Sequence, residues 1–221
     1  MKKQFLLYAS LALSSVSFAQ QQTRFTVKAG ISRAGLRGDA MGSLGDLTDL
    51  TGGMVKNTDR TGIFAGGSVS VPVAKNFSIE PGIYYSQKGS LLKGELDGKA
   101  LSFLGANAKA QLNSHYIDVP LLAKAGFGGF EVFAGPQLSW LARADLKVSA
   151  GALGFDVYKS SYDATDQLNR WDAGITGGIG YRFSNGLGIS ASYDHGLTRA
   201  DANRNIDSYN KAVKVGIGFS F

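Results

Sequence analysis

Two histidines and a scatter of carboxylates are the side chains of this 221-residue sequence with the reach for acid–base or metal chemistry. Cysteine is absent, which removes thiolate metal sites, thiol catalysis and the cysteine that a lipoprotein carries at its cleavage point. His115 and His195 each fall near the end of an alternating run, and Asp194 adjoins His195. General-base work needs its partners within hydrogen-bond reach. Neighbours along a strand point to opposite faces, so Asp194 and His195 share a site only if a bulge intervenes. Asp39, Asp46, Asp49 and Asp59 lack the alternating acids, closed by a Glu, of a calcium loop. Gly52-Gly53 follows no phosphate-loop pattern. The expectation is a protein that is not an enzyme and holds no cofactor or metal.

Another set of charges is more regular. Lys28, Glu80, Asp118, Lys124, Glu131, Arg143, Asp172, Arg182, Asp194 and Lys214 each take a position on the small or polar side of an alternating stretch. Five are acids and five are bases. What such a set does depends on the elements that carry it.

Those elements are read from period two. Phe25, Val27, Ala29 and Ile31 alternate with Thr26, Lys28, Gly30 and Ser32. The same pattern recurs over 62–73, 77–86, 115–124, 131–141, 171–183, 187–194 and 213–221. Each stretch has one apolar face and one face of Gly, Ser and isolated charges, which predicts eight strands. The 30 glycines also argue against a helical protein. Links alternate in length. Short ones fall at Lys75-Asn76, at 126–129 and at Ser184-Asn185-Gly186, where Asn-Gly favours a tight hairpin. Long ones fall at about 34–60, 93–112, 145–168 and 199–210.

Past the N-terminus no segment approaches the ~20 apolar residues of a membrane helix. A mean hydropathy of −0.03 still permits a membrane barrel, whose strands average apolar and polar faces. Short and long links alternating around an even number of strands predict an all-β, eight-stranded antiparallel transmembrane barrel, with short periplasmic turns and long extracellular loops. A secreted two-sheet sandwich would place its apolar faces inward and cover the outside with Lys, Glu and Thr. Here the polar face is too small and too sparse for that, and the apolar face carries no charge in mid-strand.

Aromatic residues sort by strand end. Phe77, Phe130, Phe183, Phe219 and Phe221 fall towards the short turns, and Tyr85, Trp140, Trp171 and Tyr193 towards the long loops. Two interfacial girdles follow. In so narrow a barrel side chains fill the lumen, so the ten charges are expected to form a paired structural network.

Residues 1–19 read as a signal peptide: Lys2 and Lys3, an apolar run from Phe5 to Leu13, then Ser17-Phe18-Ala19. Cleavage after Ala19 leaves residues 20–221 as the barrel domain. Loss of Lys2 and Lys3 lowers the formal net charge of +6 by two, and the remaining excess forms no basic stripe. Nucleic acid is therefore not an expected partner.

The segment His115-Tyr116-Ile117-Asp118-Val119-Pro120-Leu121-Leu122-Ala123-Lys124 resembles the Tyr-Ile-Glu-Ile-Pro-Leu-Leu strand of the PorT-like outer-membrane β-barrel family. Phe77 to Gly89, Gly178 to Phe183 and Tyr193 to Thr198 are similar to its other strands, and Asp118 stands where the family more often has Glu. Gly216 to Phe221 resembles the terminal strand that barrel-assembly machinery recognises. The resemblance implies an outer-membrane location, with lipid and the assembly machinery as partners and surface or secretion-system proteins as further ones. The functional expectation is a structural or interaction barrel acting through its extracellular loops. A narrow porin-like channel, a secretion accessory and a rim enzyme using His115 or His195 stand as the alternatives.

Overall fold

The computed structural model describes residues 23–38, 55–95, 107–152, 155–203 and 207–221. The proposed signal peptide lies outside these residues, as do Asp39, Asp46, Asp49, Gly52 and Gly53. Nine strands are described: β1 (Arg24–Arg37), β2 (Val55–Ala74), β3 (Phe77–Glu95), β4 (Asn107–Phe127), β5 (Phe130–Ala152), β6 (Phe155–Asp163), β7 (Trp171–Arg182), β8 (Leu187–Arg199) and β9 (Tyr209–Ser220). A 3-10 turn, Thr165–Gln167, follows β6. Among the described residues no helix is long and apolar enough to cross a membrane.

All pairings are antiparallel. β1 pairs with both β2 and β9, and β4 pairs with β5, so eight strands close in the order β1-β2-β3-β4-β5-β7-β8-β9. Closure leaves the ring without an open edge. β6 stands outside it, paired with the far end of β5 from Asp145↔Asp163 to Ala152↔Phe155.

The alternation sets which side faces in. Val27, Ile31, Ile63, Ile79, Val119, Leu121, Leu138, Ile175, Ile179, Val215 and Ile217 are all exposed on the outer surface. Glu80, Asp118, Ser86, Ser139 and Tyr116 are buried in the lumen. A soluble sheet protein would have the opposite arrangement.

The short links are tight turns. Lys75-Asn76 and Gly128-Gly129 are two-residue turns, and both glycines of the second have positive φ, +56° and +93°. Phe127 pairs directly with Phe130, so the strand runs closer to that turn than the glycine-rich stretch suggested. The start of β1 and the C-terminal residue lie at this turn end, where Phe25 and Phe221 exchange backbone hydrogen bonds of 3.0 and 2.9 Å.

The long links run partly as strand: within 34–60, 93–112 and 145–168 the described residues are largely extended, and β2, β3, β4 and β5 run on past the ring. With β6 they form a sheet standing beyond one half of the barrel's outer end. Its two faces still differ: Leu112, Leu146 and Tyr162 share one side, in register, while Gln111, Lys147 and Ser161 share the other.

Candidate functional site

The lumen is where the charged side chains meet. It is built by large residues set opposite small ones. Phe64, Tyr84, Phe133 and Leu122 point inward and are buried. A Cβ on Gly216 would meet the Phe64 ring at 2.7 Å, and one on Gly178 would meet Phe133 at 2.7 Å. Glycine on one strand thus makes room for an aromatic ring on another, which accounts for much of the glycine in the polar faces. Lysines cross these rings: Lys28 lies 5.4 Å from the Phe133 centroid, Lys214 5.6 Å from Phe64 and Lys88 4.7 Å from Tyr116. Such cation–π contacts gain strength when desolvated.

Two ion-pair clusters occupy the lumen. In the first, Asp118 on β4 is fully buried and takes Lys88 at 3.0 Å and Lys214 at 2.8 Å. Ser86 donates to the same carboxylate at 2.6 Å. Lys214 also reaches Asp194 at 2.7 Å, and Thr176 donates to Asp194 at 2.8 Å. Asn210 donates to Asp172 at 2.8 Å and to the Tyr116 hydroxyl at 3.3 Å. In the second cluster, nearer the turn end, Lys124 lies 2.5 Å from Glu80 and 3.2 Å from Glu131. Arg182 pairs with Glu131, and Ser68 donates to Glu80 at 2.9 Å.

Nine of the ten charges read as lumenal lie on the inner side. Arg143 does not. Its side chain is 65% exposed and pairs with Asp145 on the outer surface. The cause is a bulge: His115 pairs with Arg143 but Tyr116 pairs with Leu141, so Ala142 is an extra residue and the facing of β5 flips beyond it. Lys88 holds the tenth inner place. It has the same parity as Glu80 and is 3% exposed. The alternation contained that signal.

Between the side chains the spaces are small. One of about 10 Å³ lies among Lys88, Gln137, Ser139, Asp172, Asp194 and Asn210. Another of about 40 Å³ lies among Lys28, Phe64, Tyr84, Leu122 and Phe133. Spaces of this size hold one to a few waters. A wider recess of about 210 Å³ opens at the turn end, beside Lys124, Glu131 and Arg182. At the outer end Tyr116, Leu141, Ala144 and Ala164 form an apolar cluster, with Leu112, Leu146 and Leu168 against it. The segment after β6 is tied there by Ala164 N–H to the Ala144 carbonyl at 2.9 Å and by Asn169 N–H to the Ala200 carbonyl at 2.8 Å.

The histidines face away from the lumen. The His115 ring shares a hydrogen bond with the Tyr85 hydroxyl at 2.6 Å, and the His195 ring lies tilted to that of Tyr193, with centroids 6.0 Å apart. Asp194 points inward, so it and His195 share no site. Asp59, the one first-loop acid described, contacts Arg33 and Lys211. Among the described residues no group of three or more carboxylates and histidines is placed to hold a metal ion. The aromatics Phe77, Phe130, Phe183, Phe219 and Phe221 are exposed at the turn end. Trp140 and Trp171 pair across β5 and β7 towards the other end, with Tyr85 and Tyr193 also facing out.

The sequence matches a family model described as outer membrane protein beta-barrel domain over residues 18–201. No curated protein matches it. Among solved structures the chain is similar to Neisserial surface protein A, at 11% identity and a TM-score of 0.47, covering 91% of this chain and 100% of that one. It is similar to the attachment invasion locus protein Ail of Yersinia pestis at 11% identity and a TM-score of 0.46, with the same coverage. OprG from Pseudomonas aeruginosa gives 13% identity and a TM-score of 0.37, covering 91% of this chain and 97% of that one.

Proposed function

We propose that this chain, which belongs to the outer membrane protein beta-barrel domain family, works as a closed barrel: an anchor that displays its outer hairpins rather than a pore or an enzyme. It is an outer membrane β-barrel protein, and its apolar outer surface sits in lipid. The observation that carries the closed reading is the contact of Lys214 with Asp118 at 2.8 Å, which joins strands on opposite sides of the ring. An eight-stranded barrel is only wide enough for side chains to fill. Here they fill it with paired charges and aromatic rings, and an apolar cluster caps the outer end.

On this reading residues 1–19 are a signal peptide removed after Ala19, and the C-terminal strand ending in Phe221 is what the assembly machinery engages. The PorT-like resemblance adds a finer proposal, that the displayed surface serves a secretion assembly. The motifs around His115–Lys124 and Phe77–Gly89 support it.

Planar-bilayer recording tests the closed reading. The purified barrel should give no stepwise conductance above the protein-free membrane. Steady ohmic steps that vanish when the barrel is heat-unfolded would mean a channel instead.

A further inference from the structure

Charge is unevenly spread along the barrel. In the half nearer the short turns the described cations are Arg24, Lys28, Lys75, Lys124 and Arg182, and the side-chain carboxylates are Glu80 and Glu131. Five stand against two, or against three with the carboxylate of Phe221. Residues 1–22, which precede β1, contain no Asp or Glu. The next acids along the lumen, Asp118 and Asp194, are engaged with Lys88 and Lys214 in the other cluster. The excess is a count of charges and holds however these side chains pair among themselves.

The recess of about 210 Å³ at the turn end gathers that excess. Its walls carry Arg24, Lys75, Lys124 and Arg182 against a single carboxylate, Glu131. Glu80 and Glu131 hold Lys124 and Arg182, while Arg24 is exposed at the mouth. Charges of one sign converging on a concavity focus a positive field, and they repel one another unless an anion joins them. Another part of the wall is apolar. Phe77, Phe127 and Phe130 line the same recess and are exposed, by 55%, 57% and 66%. Serines, glycines, Pro72 and Asn76 complete it. The recess thus sets a cationic mouth beside an aromatic shelf, at the level where headgroups meet acyl chains. A free anion would use the first and leave the second, whereas an anionic amphiphile uses both.

We infer that this recess docks an acidic phospholipid of the leaflet at the turn end. Its phosphodiester meets Arg24 in the positive mouth, and its acyl chains lie along Phe77, Phe127 and Phe130. The guanidinium fork of Arg24 suits phosphate oxygens. Each basic residue near an anionic lipid surface is worth about fivefold in affinity. The inference needs only a barrel seated in lipid and stands whether or not the lumen conducts.

The test mixes the purified full-length barrel in neutral detergent with equal amounts of phosphatidylglycerol and phosphatidylcholine of one chain length. Native mass spectrometry then counts the lipid retained. Wild type should retain phosphatidylglycerol selectively. The variant R24E, a change of two charge units at the mouth, should bind it about thirtyfold more weakly at low salt. The variant K109E, the same change of charge at the outer end, should stay within about twofold of wild type. All three proteins should keep the gel-mobility shift on heating that marks a folded barrel. Equal binding by R24E and wild type, equal retention of the two lipids, or an equal loss in K109E overturns the proposal. So does complete displacement by millimolar inorganic phosphate, which would mean a free-phosphate site.

Discussion

Lys214 on β9 meets Asp118 on β4 across the full width of the lumen, at 2.8 Å and 96 residues apart in sequence. Four steps around the eight-strand ring separate the two strands in either direction. A contact of this kind acts as a strut. It fixes the distance between opposite walls while satisfying two buried charges that would each be costly alone.

Replacing Asp118 with Ala should therefore destabilise the barrel strongly. It strands Lys88 without its carboxylate and leaves Lys214 with Asp194 alone, and breaking a buried pair from one side typically costs about 3–5 kcal/mol. Urea titration followed by the heat-modifiable gel shift should show a lowered midpoint. An unchanged midpoint would mean that the network contributes nothing to closure.

The bulge at Ala142 makes a paired prediction about facing. Val119→Arg puts a charge on the lipid face and should cost roughly 2–4 kcal/mol near mid-bilayer. Arg143→Leu should leave stability essentially unchanged, because Arg143 sits on the outer surface beyond the bulge rather than inside. If Arg143→Leu destabilises as a lumen variant would, the bulge is misplaced.

Gly216→Ala should destabilise by about 1–3 kcal/mol, the usual scale of overpacking. The added methyl meets the Phe64 ring at 2.7 Å and the Ala29 carbonyl at 2.8 Å. Adding Phe64→Leu should recover part of that loss, since residues sharing one space are not additive. Urea midpoints of the single and double variants measure the coupling, and simple additivity would contradict the packing described.

The outer turn should respond to acid. Hydrogen bonds from the Thr165 hydroxyl and amide hold the Asp163 carboxyl below the ordinary carboxylate range. A depressed folded value means the contribution is present above the unfolded carboxylate pKa and is lost as pH falls through the folded value. Thr165 in turn bonds Ala144 at 3.0 Å. Hydrogen exchange of this segment, corrected for intrinsic rate, should accelerate on acidification in wild type and be fast at all pH values in Asp163→Asn. A flat profile in wild type would remove the link.

The ring was legible in the sequence because a lipid-facing wall enforces strict alternation. Ile79, Val119 and Ile217 each sit between inward neighbours that could be read off by parity alone. The same parity indicated Lys88, two turns of the pleat beyond Tyr84. Parity alone misplaces Arg143, because a bulge adds one residue without altering the letters on either side; the run Trp140-Leu141-Ala142, three apolar residues in a row, is its trace. The strands beyond the ring resemble loops in sequence because their outer face is free of lipid. Leu146, Val148 and Ala150 still alternate with Lys147 and Ser149, but against Gly and Ser neighbours that resemble loop composition. Contacts such as Lys214 to Asp118 depend on the closed ring, and no local pattern encodes them.

The account depends most on which side chains meet lipid and which meet each other, and the absence of cysteine makes that directly measurable. Single cysteines at Val119, Leu138 and Ile217, and at Ser86 and Ser139, can carry nitroxide labels in the barrel reconstituted into lipid vesicles. Power-saturation spectroscopy then compares collisions with oxygen and with a water-soluble nickel chelate. The first three sites should be open to oxygen and closed to nickel, and the two serine sites shielded from both. Nickel access at Val119, Leu138 and Ile217 would contradict the account at its base.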